Sequence, residues 1–153
     1  MLTHTDQTRI MTIAIREAEK AISEKNHPFG AVMVDENGKI LARAHNSQFT
    51  KDRTCHAEVT LIKKASKKFK QFQFDDYYVF STSEPCSMCM SLLIKSRIKG
   101  LYYGVSLNKD NDPYITAKEL NKKAKHKMQL TGGVLKSSCE ENIRKGFARL
   151  TNA

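Results

Sequence analysis

The chain has 153 residues, 40% of them hydrophobic and 27% charged, with a formal net charge of +10. That length and balance suit one domain with a core of its own. They exclude a disordered or fibrous chain, and the apolar runs are too short to span a bilayer. The positive balance fits an anionic partner such as RNA, but taken alone it fits a lysine-rich solvated surface better.

Met1 to Asp6 has no basic stretch followed by an apolar one, so no secretory signal is predicted. Four cysteines in such a chain point to a cytoplasmic, reducing setting and to metal binding rather than disulfides. From Asp6 to Lys25 the residues Ile10, Met11, Ala14, Ala18, Ala21 and Ile22 recur at helical spacing, with Asp6 as the expected cap. Asn26-His27-Pro28 ends this helix, because proline disfavours helix at the residue before it. Phe29 to Val34 reads as a buried strand, Asp35-Glu36-Asn37-Gly38 as a hairpin turn and Lys39 to His45 as a returning strand. Asn46 to Thr54 is polar and predicts a loop.

A second helix starts at His56, with Ala57, Leu61, Ile62 and Ala65 on one side and a run of lysines up to Lys70 on the other. Tyr77 to Phe80 is the third strand, and Ser81 to Pro85 a loop. Cys86 starts a third helix that runs to about Arg97. Gly100 to Gly104 is the fourth strand, Ser106 to Pro113 a polar loop, and Thr116 to Lys125 a helix. Met128 to Leu135 is the fifth strand, and a final helix opens at Ser137 or Ser138 and runs to about Leu150. No repeat, low-complexity tract or linker divides residues 1–153, which read as one domain. Helices alternating with strands predict an α/β sheet covered on both faces, and the opening hairpin makes that sheet mixed.

Two short stretches carry the chemistry, His56-Ala57-Glu58 and Pro85-Cys86-Ser87-Met88-Cys89. His-x-Glu followed by Pro-Cys-x-x-Cys is the pattern of the zinc deaminases. One imidazole and two thiolates suit borderline-soft zinc, and three protein ligands leave the fourth tetrahedral position open, as catalytic zinc requires. Both halves fall at helix starts, where the positive end of the helix favours thiolates. Zinc in such a site brings the pKa of water from about 15.7 towards 7. Glu58, two residues from His56, is placed to carry a proton without binding metal. Taken singly, the cysteines also suit a redox pair or half of a structural zinc site. The latter needs a fourth ligand, for which Cys55 and Cys139 are the remaining thiols.

The sequence resembles the cytidine deaminase-like superfamily, and within it the branch of guanine deaminases, tRNA adenosine deaminases and related nucleoside deaminases. The likeness runs through Pro28-Phe29-Gly30-Ala31-Val32, His45-Asn46, His56-Ala57-Glu58-Val59 and Ser83-Glu84-Pro85-Cys86-Ser87-Met88-Cys89. It implies a three-layer α/β/α sandwich on a mixed sheet of about five strands, and commonly a homodimer. It further implies one zinc on His56, Cys86 and Cys89, with Glu58 as proton shuttle. Asn46, Phe29 and Ala57 then contact the substrate, Asn46 by hydrogen bond and Phe29 as a pocket wall.

The Pro28-Phe29-Gly30-Ala31 and His56-Ala57-Glu58-Val59 segments are similar to guanine deaminases, whereas Ser96-Arg97-Ile98 and the stretch from Leu130 to Leu135 with Cys139-Glu140 are similar to tRNA adenosine deaminases and broader nucleoside deaminases. Guanine leads, with Asp112 as the acceptor for the donors of the base. Adenosine in tRNA is the alternative, with Arg53, Lys95, Arg97, Arg144, Lys145 and Arg149 as a basic rim and a flipped nucleotide in the pocket. Phe147, three residues before Leu150, is assigned to the core. A nucleic-acid-binding module with a structural zinc is the third, non-enzymatic possibility.

Overall fold

The computed structural model describes residues 1–152. Helix α1 spans His4–Ser23, and strands β1 (Gly30–Val34) and β2 (Ile40–His45) follow as a hairpin. Then come α2 (Ala57–Phe69), β3 (Tyr78–Ser83), α3 (Ser87–Lys95), β4 (Gly100–Val105), α4 (Ala117–Lys123), β5 (Gln129–Thr131) and α5 (Lys136–Thr151). The sheet order is β2-β1-β3-β4-β5. β1 runs antiparallel to both neighbours, while the β3–β4 and β4–β5 pairs are parallel, so the sheet is mixed as expected.

Side-chain alternation sorts the two faces. Ala31, Met33, Val79 and Leu101 point to one core with Ala57 and Leu61 of α2, Met90 and Leu93 of α3, and Ala117 of α4. Val32, Val34, Phe80 and Tyr102 point to the other, with Ile10, Met11 and Ala14 of α1 and Cys139 of α5. Burying each large side chain contributes about 1.5–3 kcal/mol. The three-layer sandwich is thus built from period-two strands between helices of period 3.6. Gly30 lets α1 lie against the start of β1, because a Cβ there would collide with the Ala14 carbonyl and the Ala18 amide.

Several boundaries differ from the sequence expectation. Thr3 rather than Asp6 caps α1: its hydroxyl accepts from the Asp6 amide, and the Asp6 carboxylate accepts from Thr3 in return. β3 continues to Ser83 through the expected loop, because Ser81 pairs with Ala31 and Tyr103, and Ser83 with Val105. β5 is only three residues long. α5 starts at Lys136 behind Leu135, which sits in the left-handed region at φ 47°, so the serines fall inside the helix instead of capping it.

β2 is an outer strand of the sheet. Lys64 and Lys68 of α2 reach over it, and their ammonium groups donate to the carbonyls of Arg43 (3.2 Å) and Leu41 (3.0 Å).

The register gathers the chemistry at one end of the sheet. Gly30 pairs with His45, Ala31 with Ser81, and Ser81 with Tyr103. The start of β1, the end of β2 and the carboxyl ends of β3 and β4 therefore share an edge, the usual place for a ligand in an open α/β sheet.

Candidate active site

His56 is the N-cap of α2 and Cys86 the N-cap of α3, both with extended backbone and neither side chain spent on capping. Cys89 lies in the first turn of α3. Two helix starts thus converge. The His56 Nδ1 atom is 3.6 Å from Cys86 Sγ and 3.5 Å from Cys89 Sγ. The three ligand atoms lie within 4.8 Å of one another, and no other such group of potential ligands occurs among the described residues. Burial raises Cys86, but the hydrogen bond from Cys89 outweighs it and, with His56, pushes the Cys86 thiol down to about 4. The same Cys86–Cys89 contact, with burial, holds Cys89 well above its usual range. The Cys86 contact raises His56 against the effect of its burial. One imidazole and two cysteine sulfurs, which bind zinc as thiolates, make this array the donor set of a three-ligand zinc site.

The two remaining cysteines are elsewhere. Cys55 faces the loop, where its thiol donates to Asp52 Oδ2 at 3.4 Å. Cys139 is in the opposite core, against Gly104, and burial pushes its thiol up to about 12. With neither thiol at hand, the structural four-ligand arrangement has no fourth protein ligand among the described residues.

Glu58 is buried in the first turn of α2, and the Ser81 hydroxyl donates to its Oε1 at 2.7 Å. Burial is the main influence on its carboxyl and raises it, so a proton is held more readily than in water. Glu58, His56, Ala57 and Cys86 line a cavity of about 450 Å³. Phe29 and Asn46 line it too, while Cys89 is wholly buried and not on the lining. The Asn46 amide group is partly committed: its Oδ1 accepts from the Gln48 amide and its Nδ2 donates to Gln48 Oε1, both at 3.1 Å.

Asp112 is not on the lining. The Asp110 amide donates to Asn108 Oδ1 (2.9 Å) and the Asn111 amide to the Asn108 carbonyl (3.0 Å). This turn gives Asn108, Asp110 and Asn111 to the cavity and leaves Asp112 exposed. Phe147 also departs from expectation. It is 39% exposed and lines the cavity, its ring 5.9 Å from Phe29 and 5.2 Å from His27, both edge-on. His27, Gln48, Glu84 and Ile143 are among the lining residues to which the sequence assigned no role in the site. The spacing of Ile143 and Phe147, four apart on α5, carried a signal for a shared helical face, but core and cavity produce the same signal.

Glu84 acts as a strut beside the ligand pair. One carboxylate oxygen accepts from the Leu107 amide (2.8 Å) and the other from the Ala117 amide (2.7 Å), fixing both ends of the loop after β4. Glu84→Ala leaves two buried N–H groups unpaired. It is expected to cost about 2–4 kcal/mol in urea unfolding, and a loss below roughly 0.5 kcal/mol would show that water replaces the carboxylate.

Residues 4–105 match the family described as the cytidine and deoxycytidylate deaminase zinc-binding region. The chain belongs to this family. It is a zinc-dependent hydrolytic deaminase, and His56, Cys86 and Cys89 are positioned to hold its metal. The tRNA-specific adenosine deaminase of Rickettsia bellii is 34% identical over 140 residues, covering 90% of this chain and 96% of that one. A solved structure from work on A-to-I editing by tRNA:A34 deaminases is 29% identical, with a TM-score of 0.79, covering 88% of this chain and 99% of the other. The Bacillus subtilis guanine deaminase structure is 30% identical, with a TM-score of 0.62, covering 74% of this deaminase and 73% of that chain. No helix of this deaminase is long and apolar enough to cross a membrane among the described residues.

Proposed function

We propose that this deaminase converts adenosine in tRNA to inosine and ammonia. The observation that carries the reading is its likeness, along nearly the whole chain, to tRNA-specific adenosine deaminases. The cavity rim supports it. His27, Phe49 and Phe147 form an edge-to-face group in which Phe49 is 62% exposed, a surface suited to unstacked bases. The net charge of +10 suits a phosphate backbone.

Guanine, favoured in the sequence through Pro28-Phe29-Gly30-Ala31 and His56-Ala57-Glu58-Val59 with Asp112 as its acceptor, is supported less well. Its ring donors need an acceptor in the pocket. Asp112 is outside the lining, Glu84 is bonded to backbone amides, and besides Glu58 the remaining carboxylate there is that of exposed Asp110.

His56, Cys86 and Cys89 hold zinc, which when bound lowers the pKa of water to about 7 and supplies a nucleophile at neutral pH. The Glu58 carboxylate takes a proton from the attacking water and gives it to the adjacent ring nitrogen. It then moves the second water proton to the departing amine, so that water and adenosine yield inosine and ammonia. Ser81 orients the Glu58 carboxylate throughout. Phe29 and Phe147 wall the base, and Asn46, aligned by Gln48, offers it an amide hydrogen bond. The reading includes a homodimer acting in the cytoplasm, as the family resemblance implies.

An ammonia-release screen over free bases, nucleosides and an anticodon stem-loop tests this. Turnover of the stem-loop to inosine is expected, with kcat/KM for guanine lower by about 100-fold or more. Turnover of guanine with the stem-loop untouched would overturn the assignment.

A further inference from the structure

Two irregular segments form one side of the cavity. The turn between α1 and β1 brings His27 and Phe29 to it, and the loop between β2 and α2 brings Asn46 and Gln48. The loop is tied mainly to itself: the Thr50 and Lys51 amides donate to the Ser47 carbonyl, and the Ser47 amide to the Cys55 carbonyl. Phe49, its largest apolar side chain, is mostly exposed, and its ring meets that of His27 in the turn, 4.8 Å away. Apart from Cys55, little apolar burial therefore holds the loop in place.

Polar ties hold it instead. Asn26 is fully buried; its Oδ1 accepts from the Phe49 amide at 2.9 Å and its Nδ2 donates to Thr50 Oγ1 at 3.3 Å. His45, at the end of β2, has Nδ1 3.0 Å from Glu17 Oε2 and Nε2 2.9 Å from Glu24 Oε2. Lys20 also reaches Glu17, at 3.1 Å, so the charged groups facing His45 are Glu17, Glu24 and, behind Glu17, Lys20. The Asn46 amide closes the set on the Phe29 carbonyl at 3.0 Å. Neither Asn26 nor His45 lines the cavity. The Glu17 tie is buried and strong, whereas the Glu24 tie is half in solvent and weak.

We infer that Asn26 and His45 are positioning residues for the deamination site, clamping the loop that bears Asn46 and Gln48 to the turn that bears His27 and Phe29 and so setting the width of the cavity. This rests on the reading of the cavity as the base-binding site. His56 and Glu58 are anchored separately, because α2 is held in the core by Ala57, Leu61 and Ala65. Loosening the clamp therefore acts on substrate binding rather than on the metal or the proton transfer.

The test uses His45→Leu, Asn26→Leu and Asn26→Asp, the last keeping an oxygen for the Phe49 amide. Each is measured for KM, kcat, zinc content, melting temperature and amide hydrogen exchange. His45→Leu and Asn26→Leu are expected to raise KM roughly tenfold, as loss of a charged or buried hydrogen bond does. Zinc and kcat should stay near native, and exchange should accelerate over residues 46–51 and not in β1 or β3. Asn26→Asp should restore most of the native KM. Native KM with native exchange in His45→Leu would overturn the clamp, as would a parallel loss of kcat and zinc. If the native protein deaminates guanine and not the stem-loop, the tRNA reading falls and the clamp is measured on guanine. If it turns over neither, the exchange pattern alone decides.

Discussion

Glu58→Gln is expected to abolish nearly all turnover while leaving zinc at one per chain. The amide keeps the size of the side chain and still accepts from the Ser81 hydroxyl, so the surroundings stay intact. What is lost is a group that takes and returns protons. General acid–base catalysis contributes about 10²–10⁴-fold, and here one carboxyl serves both the attacking water and the leaving amine, so the upper part of that range applies. Burial already raises this carboxyl, which brings its affinity for a proton closer to what the shuttle needs at neutral pH. Ammonia release and metal analysis on the same preparation check this. Turnover within threefold of native would remove Glu58 from the chemistry.

The second large effect is at the metal. Cys89→Ser is expected to strip zinc from the protein and to lower turnover by on the order of 10⁴-fold, since water without the metal is far from ionised at pH 7. Cys89 is fully buried, 3.5 Å from His56 Nδ1, and the described residues hold no fourth protein ligand to take its place. A serine oxygen is a harder donor at the wrong distance, and it does not deprotonate readily. The protein should still fold, because α3 remains packed through Met90 and Leu93. Retained stoichiometric zinc in a folded, active Cys89→Ser variant would contradict the three-ligand assignment.

The metal group was readable because each of its halves is a short local motif and each begins a helix. A Cys-x-x-Cys turn needs no distant partner to bring its sulfurs together. The helices and strands were readable from periodicity, including the hairpin at Asn37-Gly38. The pocket's outer parts depend on contacts that a linear pattern does not carry. Whether Asp110 or Asp112 faces the cavity is decided by a turn built on the Asn108 side chain and carbonyl. Glu84 reads as one more residue before a proline, yet its partners are Leu107 and Ala117. Phe147 has the spacing of a core residue, and only the packing of α5 beside Phe29 turns it into a pocket wall. Ser81 was expected in a loop, where it would not have been matched with Glu58.

The lysines laid over β2 have a consequence for how the molecule behaves in a crowded solution. An outer strand with free carbonyls and amides is a template on which a strand from another chain can grow. Here Lys64 and Lys68 occupy two of those carbonyls and add charge beside them, while the opposite outer strand, β5, offers only three residues. Both borders of the sheet are thereby poor seeds for cross-chain strand addition. The arrangement guards the sheet against edge-to-edge aggregation.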